Sequence, residues 1–243
     1  IHTCAVLDNG DIKCWGYNGF GQLGNGATTA HNSPVLVSGS NTWDSSTGAS
    51  SGSGSGSGSG SSSSSSFAYA NNKLSAGNSH TCAILDNGDL KCWGADAQGQ
   101  LGDGGSNTNT NAPSSTAIDL GTGRTAIAVP AGREHTCAIL DNGDLKCWGR
   151  DGFGQLGDGG SNANTNAPSS TAIDLGTGRT AVAVSAGYHH TCAILDNGDL
   201  KCWGLDGYGQ LGDGGSNTNI YTPSSTAINL GTGRTAVAVS AGS

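Results

Sequence analysis

The side chains of this chain that could do chemistry are eight cysteines, arranged in four pairs that each follow a histidine. The stretch HTCAILDNGDLKCWG occupies residues 80–94, 135–149 and 190–204 unchanged, and residues 2–16 differ from it by two aliphatic exchanges. An even set of regularly spaced cysteines indicates disulfides in an oxidising compartment. Zinc is the weaker interpretation, because structural zinc ligands usually stand about two to four residues apart. The predicted pairs are Cys4–Cys14, Cys82–Cys92, Cys137–Cys147 and Cys192–Cys202.

The histidines of the motif are better explained as structural than as catalytic residues. A Cys/His pair can form a nucleophilic centre, but such a centre also needs an orienting partner in a cleft. Four identical copies with oxidised sulfurs fit a hydrogen-bonding role instead. A large ring at a fixed place in every repeat indicates packing. The predicted structural residues are His2, His80, His135 and His190, with Trp15, Trp93, Trp148 and Trp203 as packing residues and His31 and His189 as surface residues.

Each motif predicts a β-hairpin that positions its two cysteines. The strand-like runs TCAIL and DLKCW flank the turn signal DNG. A three-residue loop with Gly88 in the left-handed conformation pairs Ile84 with Leu90 and places Cys82 opposite Cys92. Directly opposed residues of this kind are close enough for a disulfide.

The hairpins recur with a fixed period and predict a repeat architecture. Cys82, Cys137 and Cys192 stand 55 residues apart, whereas Cys4 precedes Cys82 by 78. STAIDL and RTAIAV flank the turn GTG, which predicts a second hairpin at residues 115–129. Two hairpins per period give an all-β fold of tandem four-stranded antiparallel sheets. Such sheets are the blades of a β-propeller, either closed or stacked openly head to tail.

The repeat period sets the predicted domain boundaries. Residues 48–66 are expected to contribute no packed structure, because alternating Gly and Ser can bury nothing; their regularity also resembles a placeholder for unidentified side chains. The predicted units are an incomplete first repeat at 1–39, a Ser/Gly-rich insertion at 40–70, and repeats at 71–130, 131–185 and 186–243, the last including the lead-in strand of a next repeat.

Charge argues against nucleic acid as a partner, and hydropathy argues against a segment that spans a membrane. The chain has 18 Asp plus Glu against 10 Lys plus Arg, a net charge of −8, whereas nucleic-acid binding needs a basic face. No apolar run approaches the ~20 residues that span a bilayer. Because the chain contains no Met and begins at Ile1, we expect it to be processed or part of something longer.

One family resemblance emerges from these motifs. VSAGYHHTCAI at 184–194, followed by DLKCWG and GQLGDG, is similar to the repeat of the regulator of chromosome condensation. The similarity recurs four times and covers nearly all of the chain outside residues 40–70. It implies a β-propeller, which members of the family usually close with seven long repeats. This chain departs from the pattern in having four repeats, and cysteines where the family usually has an apolar and a small residue. The nucleotide-exchange activity of particular members is not carried over.

Differences among the near-identical copies point to candidate binding loops, because recognition residues concentrate in loops. The residues after each CWG vary, and so do the pairs before the motif histidine: Asn78-Ser79, Arg133-Glu134 and Tyr188-His189. Drift on solvated turns is the alternative explanation. The candidate binding residues are Tyr17, Phe20, Arg150, Phe153, Leu205 and Tyr208.

The stretch DGGSNTNTNAP carries enough side-chain oxygens to suggest calcium. It lacks the alternating acidic ligands and the closing Glu of the best-known calcium loop. Turn chemistry explains it more simply. No cofactor is therefore predicted, and calcium stays the one metal to consider.

The two ends of the chain continue the repeat pattern. Joined, they read SAGSIHTC, close to the SAGNSHTC of residues 75–82, and the 55-residue period is kept. Within one molecule, such a continuation completes a propeller blade from both termini. Between molecules it is a head-to-tail joint, which gives open filaments when its rotation does not close. A third possibility is that the chain is one period of a longer covalent array. We therefore predict an extracellular structural protein that assembles with itself into a filament; the alternative is a secreted propeller that binds a protein or carbohydrate. No motif indicates an enzyme. The predicted junction residues are Ile1, His2, Ala241, Gly242 and Ser243.

Overall fold

Each cysteine motif forms an antiparallel hairpin at the centre of a three-stranded sheet. The computed structural model describes residues 2–6, 11–38, 73–160, 162–215 and 217–242. The first two sheets contain β1 (His2–Val6), β2 (Ile12–Gly16) and β3 (His31–Leu36), then β4 (Leu74–Ala76), β5 (His80–Ile84) and β6 (Leu90–Gly94). The other two contain β7 (Ala126–Ala128), β8 (His135–Leu140) and β9 (Leu145–Gly149), then β10 (Ala181–Ala186), β11 (His190–Leu195) and β12 (Leu200–Gly204).

The predicted register of the hairpin is confirmed. Ile84 pairs with Leu90 and Cys82 pairs with Cys92. The amide of Leu85 donates to the carbonyl of Asp89 (2.8 Å), and Gly88 closes the three-residue loop at φ 85°. Only a residue without a Cβ adopts that conformation cheaply.

The third strand of each later sheet precedes its motif hairpin in the chain, and β7 and β10 lie in the repeat before that hairpin. β4, β7 and β10 pair with β5, β8 and β11, on the side of the hairpin away from its second strand. In the first sheet, β3 instead lies beside β2. The sheets are therefore joined by strands that leave one repeat and pair with the next.

The prediction of a second hairpin at 115–129, and with it that of four-stranded sheets, is wrong. STAIDL forms no regular strand and donates one backbone hydrogen bond to the hairpin, from Ile118 to the carbonyl of Leu90 (2.9 Å). RTAIAV turns away from it, and Ala126 and Ala128 pair with β8 of the next motif. The physical reason is packing: Ile118 and Ala126 are buried together between two sheets instead of facing each other across a ladder.

The core lies between consecutive sheets, which explains why both faces of β5 and β8 are buried. Side chains alternate along a strand, so neighbours face opposite sides. Cys82 and Ile84 pack toward Ala138 of the third sheet, whereas Ala83 packs toward the first sheet. Small Ala and Cys residues let neighbouring sheets approach each other closely.

A repeated hydrogen-bonded joint connects one repeat to the next. The carbonyl of Gln22 accepts from Thr81 Oγ1 (2.9 Å) and from Trp93 Nε1 (3.1 Å), and His2 Nε2 bonds the same Thr81 Oγ1 (2.6 Å). The second-to-third and third-to-fourth joints repeat this arrangement with Gln100 and Gln155. This joint explains why His, Thr, Trp and Gln recur at fixed positions.

Among the described residues, one face of the fourth sheet is covered by no further sheet. Cys192, Cys202 and Leu211 are buried there only by partly exposed neighbours such as Val239. At the other end of the array, Thr3 is exposed, although its counterparts in the joints are buried. The insertion predicted at 40–70 lies outside the described residues. Across the described residues no helix is long and apolar enough to cross a membrane.

Candidate functional site

The candidate binding residues occupy three places instead of one. Tyr17 and Phe20 form an edge-to-face pair on the first repeat, with ring centroids 6.1 Å apart. Tyr208, 93% exposed, and Leu205 line the open face of the fourth repeat. The remaining two, Arg150 and Phe153, join residues that precede the motif histidines.

Six side chains of the third and fourth repeats form what we call the aromatic–arginine cluster. Its two arginines lie over aromatic rings, Arg133 at 4.1 Å from the centroid of Tyr188 and Arg150 at 5.5 Å from that of Phe153. Such cation–π contacts hold the guanidinium groups in fixed positions. From the sequence, Arg133-Glu134 and Tyr188-His189 are identified only as variable pairs. The members of the cluster are Arg133, Glu134, Arg150, Phe153, Tyr188 and His189.

Glu134 is the anion of the cluster. Its Oε2 accepts from Arg150 Nη1 at 2.6 Å, and its Oε1 lies 3.7 Å from Arg133 Nε. Both arginines and Glu134 are half-buried. Two cations therefore share one carboxylate, which leaves local positive charge in a chain whose net charge is −8.

His189 lies at the centre of the cluster, and its prediction as a surface residue is wrong. It is 7% exposed, with its ring 4.7 Å from Phe153 and 4.6 Å from Tyr188 between centroids. Burial first, then Arg150 and Arg133, lower the pKa of His189 to about 4. The neutral ring accepts a hydrogen bond at Nε2 from Arg133 Nη1 (3.2 Å), because an arginine can only donate.

Two members of the cluster line a small cavity. Corners of successive repeats meet there around a space of about 280 Å³, and Arg133 and Tyr188 are among its lining residues. A Cβ on Gly132 would stand 2.7 Å from the carbonyl oxygen of Gly187, so the corners can approach this closely only with glycine. The AG dipeptide before each variable pair thus places those pairs side by side.

The motif histidines are buried in the joints. His80 Nε2 bonds Thr136 Oγ1 (2.8 Å), and His135 Nε2 bonds Thr191 Oγ1 (3.0 Å). Burial lowers the pKa of both imidazoles to about 3, so both are neutral at pH 7. Each threonine hydroxyl donates to the main-chain carbonyl of a glutamine, so the Nε2–H of the histidine donates to the threonine oxygen. This geometry supports the structural role.

The sulfurs of every cysteine pair lie at bonding distance within their own repeat. The S–S separations are 2.12, 2.06, 2.06 and 2.03 Å for the pairs beginning at Cys4, Cys82, Cys137 and Cys192. Each pair bridges the two central strands of its sheet.

The open face of the fourth repeat forms an apolar groove of about 840 Å³, lined by Leu200, Leu211 and Val239. Of the predicted junction residues, Ile1 and Ser243 lie outside the described part of the chain. The described hydrogen bonds attach His2 to Thr81 of the second sheet, and the Ala241 amide to Ser185 Oγ of the fourth sheet. Gly242 accepts from the amide of Tyr188 (3.0 Å).

Comparisons with known proteins agree with this architecture. Models described as the regulator of chromosome condensation (RCC1) repeat match residues 2–22, 72–100, 126–155 and 181–210, and residues 87–139 and 142–194. The chain belongs to the RCC1 repeat family. Its members' β-propeller blades correspond to the four sheets described above.

Similar proteins extend beyond the length of this chain. The Arabidopsis thaliana ultraviolet-B receptor UVR8 is 30% identical over 214 residues, which are 88% of this chain and 41% of the receptor. Human WBSCR16 has a TM-score of 0.74 at 20% identity, covering 99% of this chain and 53% of that one. Yeast RCC1 (Prp20), solved with Kap60 bound, has a TM-score of 0.72 at 19% identity, covering 100% and 50%. The chain spans about half the length of these three proteins.

Proposed function

We propose that this chain is a protein-binding module that recognises its partner through the aromatic–arginine cluster. The observation that carries the proposal is the convergence of variable residues from two otherwise near-identical repeats in one cluster. Arg and aromatic side chains are the usual anchors of protein interfaces. Here ion pairs and ring contacts hold them in place before binding, which lowers the entropic cost of association.

The chemistry of the cluster indicates an acidic partner with an aromatic or apolar neighbour. Arg133 and Arg150 share one carboxylate, so an incoming carboxylate finds unsatisfied positive charge. Tyr188 is 40% exposed and offers a ring beside that charge. Yeast RCC1, a protein with this fold, is itself bound by another protein, Kap60.

The proposal places the chain in an oxidising compartment, extracellular or at the cell surface. Four cysteine pairs at bonding distance support this placement, because disulfides persist in oxidising surroundings. The function proposed is binding and not catalysis.

Panning a phage-displayed random peptide library against the 243-residue chain tests the binding site. Tyr188→Asn, Arg150→Ala and Phe153→Gln introduce the residues that the second repeat has at these positions, Asn78, Ala95 and Gln98, so the fold tolerates them. We expect enriched acidic peptides to bind these variants about 10-fold or more weakly.

Tyr17→Ala and Tyr208→Ala are the matched controls, since both remove an exposed tyrosine outside the cluster. Peptides that bind the cluster variants and the wild-type chain equally would overturn the assignment. Binding to a glycan array that is lost in the same three variants would reassign the site to a carbohydrate.

Head-to-tail self-assembly is a second candidate function, favoured by the two end faces. In every internal joint, Thr and Trp side chains of one repeat bond a Gln carbonyl of the repeat before it. Within the described residues, Thr3 and Trp15 have no preceding Gln carbonyl, and the Gln210 carbonyl has no following Thr or Trp. The two faces thus carry complementary halves of one joint. A further repeat would complete each half, and so would a second copy of the chain, which is the occupant that self-assembly requires.

Mixing two blocked variants tests this assembly. Thr3→Arg blocks the first face and Leu200→Glu blocks the last, and both positions are incompletely buried. Each variant alone should sediment as a monomer, their mixture as a dimer, and the wild-type chain as a longer series. A wild-type chain that stays monomeric at millimolar concentration would remove self-assembly from consideration.

A further inference from the structure

The loop after each CWG contains a buried polar side chain that is Asn in the first repeat and Asp in the others. The residues are Asn18, Asp96, Asp151 and Asp206, none more than 1% exposed. In all four repeats its Oδ1 accepts the amide of the leucine five residues later, at 2.9 Å. The repeats therefore differ at the other terminal atom of this side chain, which is Nδ2 in Asn18 and Oδ2 in the aspartates.

In the first repeat that second atom is a donor surrounded by oxygens. Asn18 Nδ2 donates to the carbonyls of Ala27 (2.9 Å) and Thr29 (3.0 Å) and to Asn25 Oδ1 (3.3 Å). This position inside the loop consequently needs a hydrogen-bond donor or a positive charge.

In the later repeats the same position carries an oxygen. Asp96 Oδ2 and Asp206 Oδ2 are buried and have no hydrogen-bond partner among the described residues. The position of Asn25 is also a carboxylate, Asp103 in the second repeat, whose Oδ1 accepts the amide of Gly105 (2.8 Å). A buried carboxylate oxygen without a donor is costly, and such atoms are normally satisfied by protein, water or an ion.

In the second and third repeats, the charge of the second carboxylate acts on the buried one. Burial first, and then the charge of Asp103, raise the pKa of Asp96, which reaches about 6. Burial and Asp158 do the same to Asp151 in the third repeat. The loop itself is one residue longer than in the first repeat, with Asn107 at φ 56°. Both acidic exchanges and the longer loop thus occur together in three repeats and are absent together from the first.

We propose that each of these three loops binds a hard divalent cation, of which calcium is the probe, between its two carboxylates. The pairs are Asp96 with Asp103, Asp151 with Asp158, and Asp206 with Asp213. No group of three or more His, Cys, Asp or Glu residues in the described part of the chain could hold a metal. Loop carbonyls and water must therefore supply the remaining ligands, as calcium's flexible all-oxygen coordination permits. Two carboxylates correspond to a weak site, with a Kd of about 10⁻⁴ to 10⁻³ M.

Thermal unfolding with and without CaCl₂ tests the proposal on the 243-residue chain. The test variant carries Asp96→Asn, Asp151→Asn and Asp206→Asn, the side chain that the first repeat has at this position. At about 10 mM CaCl₂ the wild-type Tm should rise by roughly 5–15 °C over its value in EDTA. The variant should show no rise and should be at least as stable as the wild type in EDTA.

A double variant, Asp119→Asn with Asp174→Asn, is the matched control for lost negative charge. The fourth repeat already has Asn229 at this position, where it accepts the amide of Gly231 (2.9 Å) as Asp119 accepts that of Gly121 (2.8 Å). This control should keep the full response to calcium. A wild-type Tm that ignores calcium but rises in EDTA as the pH falls through 6 would mean that a proton satisfies Asp96, and the proposal would fail. It would also fail if the triple variant kept the calcium response.

Discussion

The sequence AVAVSA occurs twice near the end of the chain, at 181–186 and at 236–241, and only the first copy is a strand. β10 pairs with β11 of the motif that follows it, through Ala183 with Ile194 and Val184 with Ala193. Residues 236–241 pair with no such motif and form no ladder among the described residues. Val182 is 53% exposed and its counterpart Val237 is 94% exposed.

Identical residues in two states show that the lead-in strand depends on its partner and not on its own propensity. Strand propensity mostly measures how well a residue fits a pleated, half-buried surface, and that surface is supplied by the neighbouring hairpin. The second copy retains part of its attachment, because the amide of Ala241 still donates to Ser185 Oγ (2.8 Å). Each repeat thus completes the sheet of the next.

Proline in the two copies should give the largest difference. Ala183→Pro removes a donor and distorts a paired strand, so we expect a loss of about 3 kcal/mol or more in the free energy of unfolding. Ala238 is the equivalent residue of the second copy, where it is exposed and lies in no ladder. Ala238→Pro should therefore change the free energy of unfolding by less than about 0.5 kcal/mol. Urea unfolding measures both. Equal losses would show that residues 236–241 are paired in solution.

The two copies also mark what could be predicted from sequence. The hairpin register followed from DNG and the alternation around it, because a turn type fixes which residues oppose each other. The path of STAIDL could not be predicted, since its pattern indicates a strand without indicating a partner, and inter-sheet packing provided a better burial for Ile118.

The aromatic–arginine cluster was only partly predictable for a related reason. Arg133 and His189 are 56 residues apart and meet because successive AG corners converge. Variation among copies marked these positions as unusual, but period and composition give no distance between repeats. The burial of His189 likewise arises from Phe153 and Tyr188, which adjoin it only once the sheets stack.

Removing a disulfide should give the next largest difference in the free energy of unfolding, between a pair in the interior and a pair at the open end. Each closes a loop of about ten residues, for which chain entropy gives about 2–3 kcal/mol. Replacing both cysteines of a pair by alanine also leaves a cavity. For Cys137 and Cys147 the cavity lies between two sheets, and for Cys192 and Cys202 it lies beside the open groove. The interior pair should therefore cost more in urea unfolding.

Non-reducing peptide mapping of the wild-type chain is the control for the disulfide comparison. It should return the four pairs within repeats. Links between repeats or free thiols would remove the basis of the comparison, and equal losses for the two double variants would show that the cavity term is negligible.

The smallest effect concerns protonation of the joint histidines. The pKa of His135 is lowered from 6.5 to about 3 in the folded chain, mainly by burial, so the folded state favours the neutral ring. As the pH falls below 6.5, His135 becomes protonated in the unfolded chain but stays neutral in the folded chain. The free energy of unfolding therefore decreases until the pH approaches the pKa of the folded state. Between pH 7 and 5 this one histidine should cost about 2 kcal/mol.

His135→Gln and His190→Gln separate an internal joint from the open end. His135 Nε2 bonds Thr191 across a joint, and no corresponding threonine of a following repeat reaches His190 among the described residues. At pH 7, His135→Gln should cost about 1 kcal/mol for the lost hydrogen bond and His190→Gln less. On acidification to pH 5, His135→Gln should lose about 2 kcal/mol less than the wild type, because its unfolded state has one proton fewer to bind. Urea unfolding at pH 7, 6 and 5 measures these differences. The contrary outcome is that His135→Gln loses as much stability as the wild type between pH 7 and 5. That result would mean that folded His135 binds a proton over this range, which contradicts a neutral ring buried in the joint.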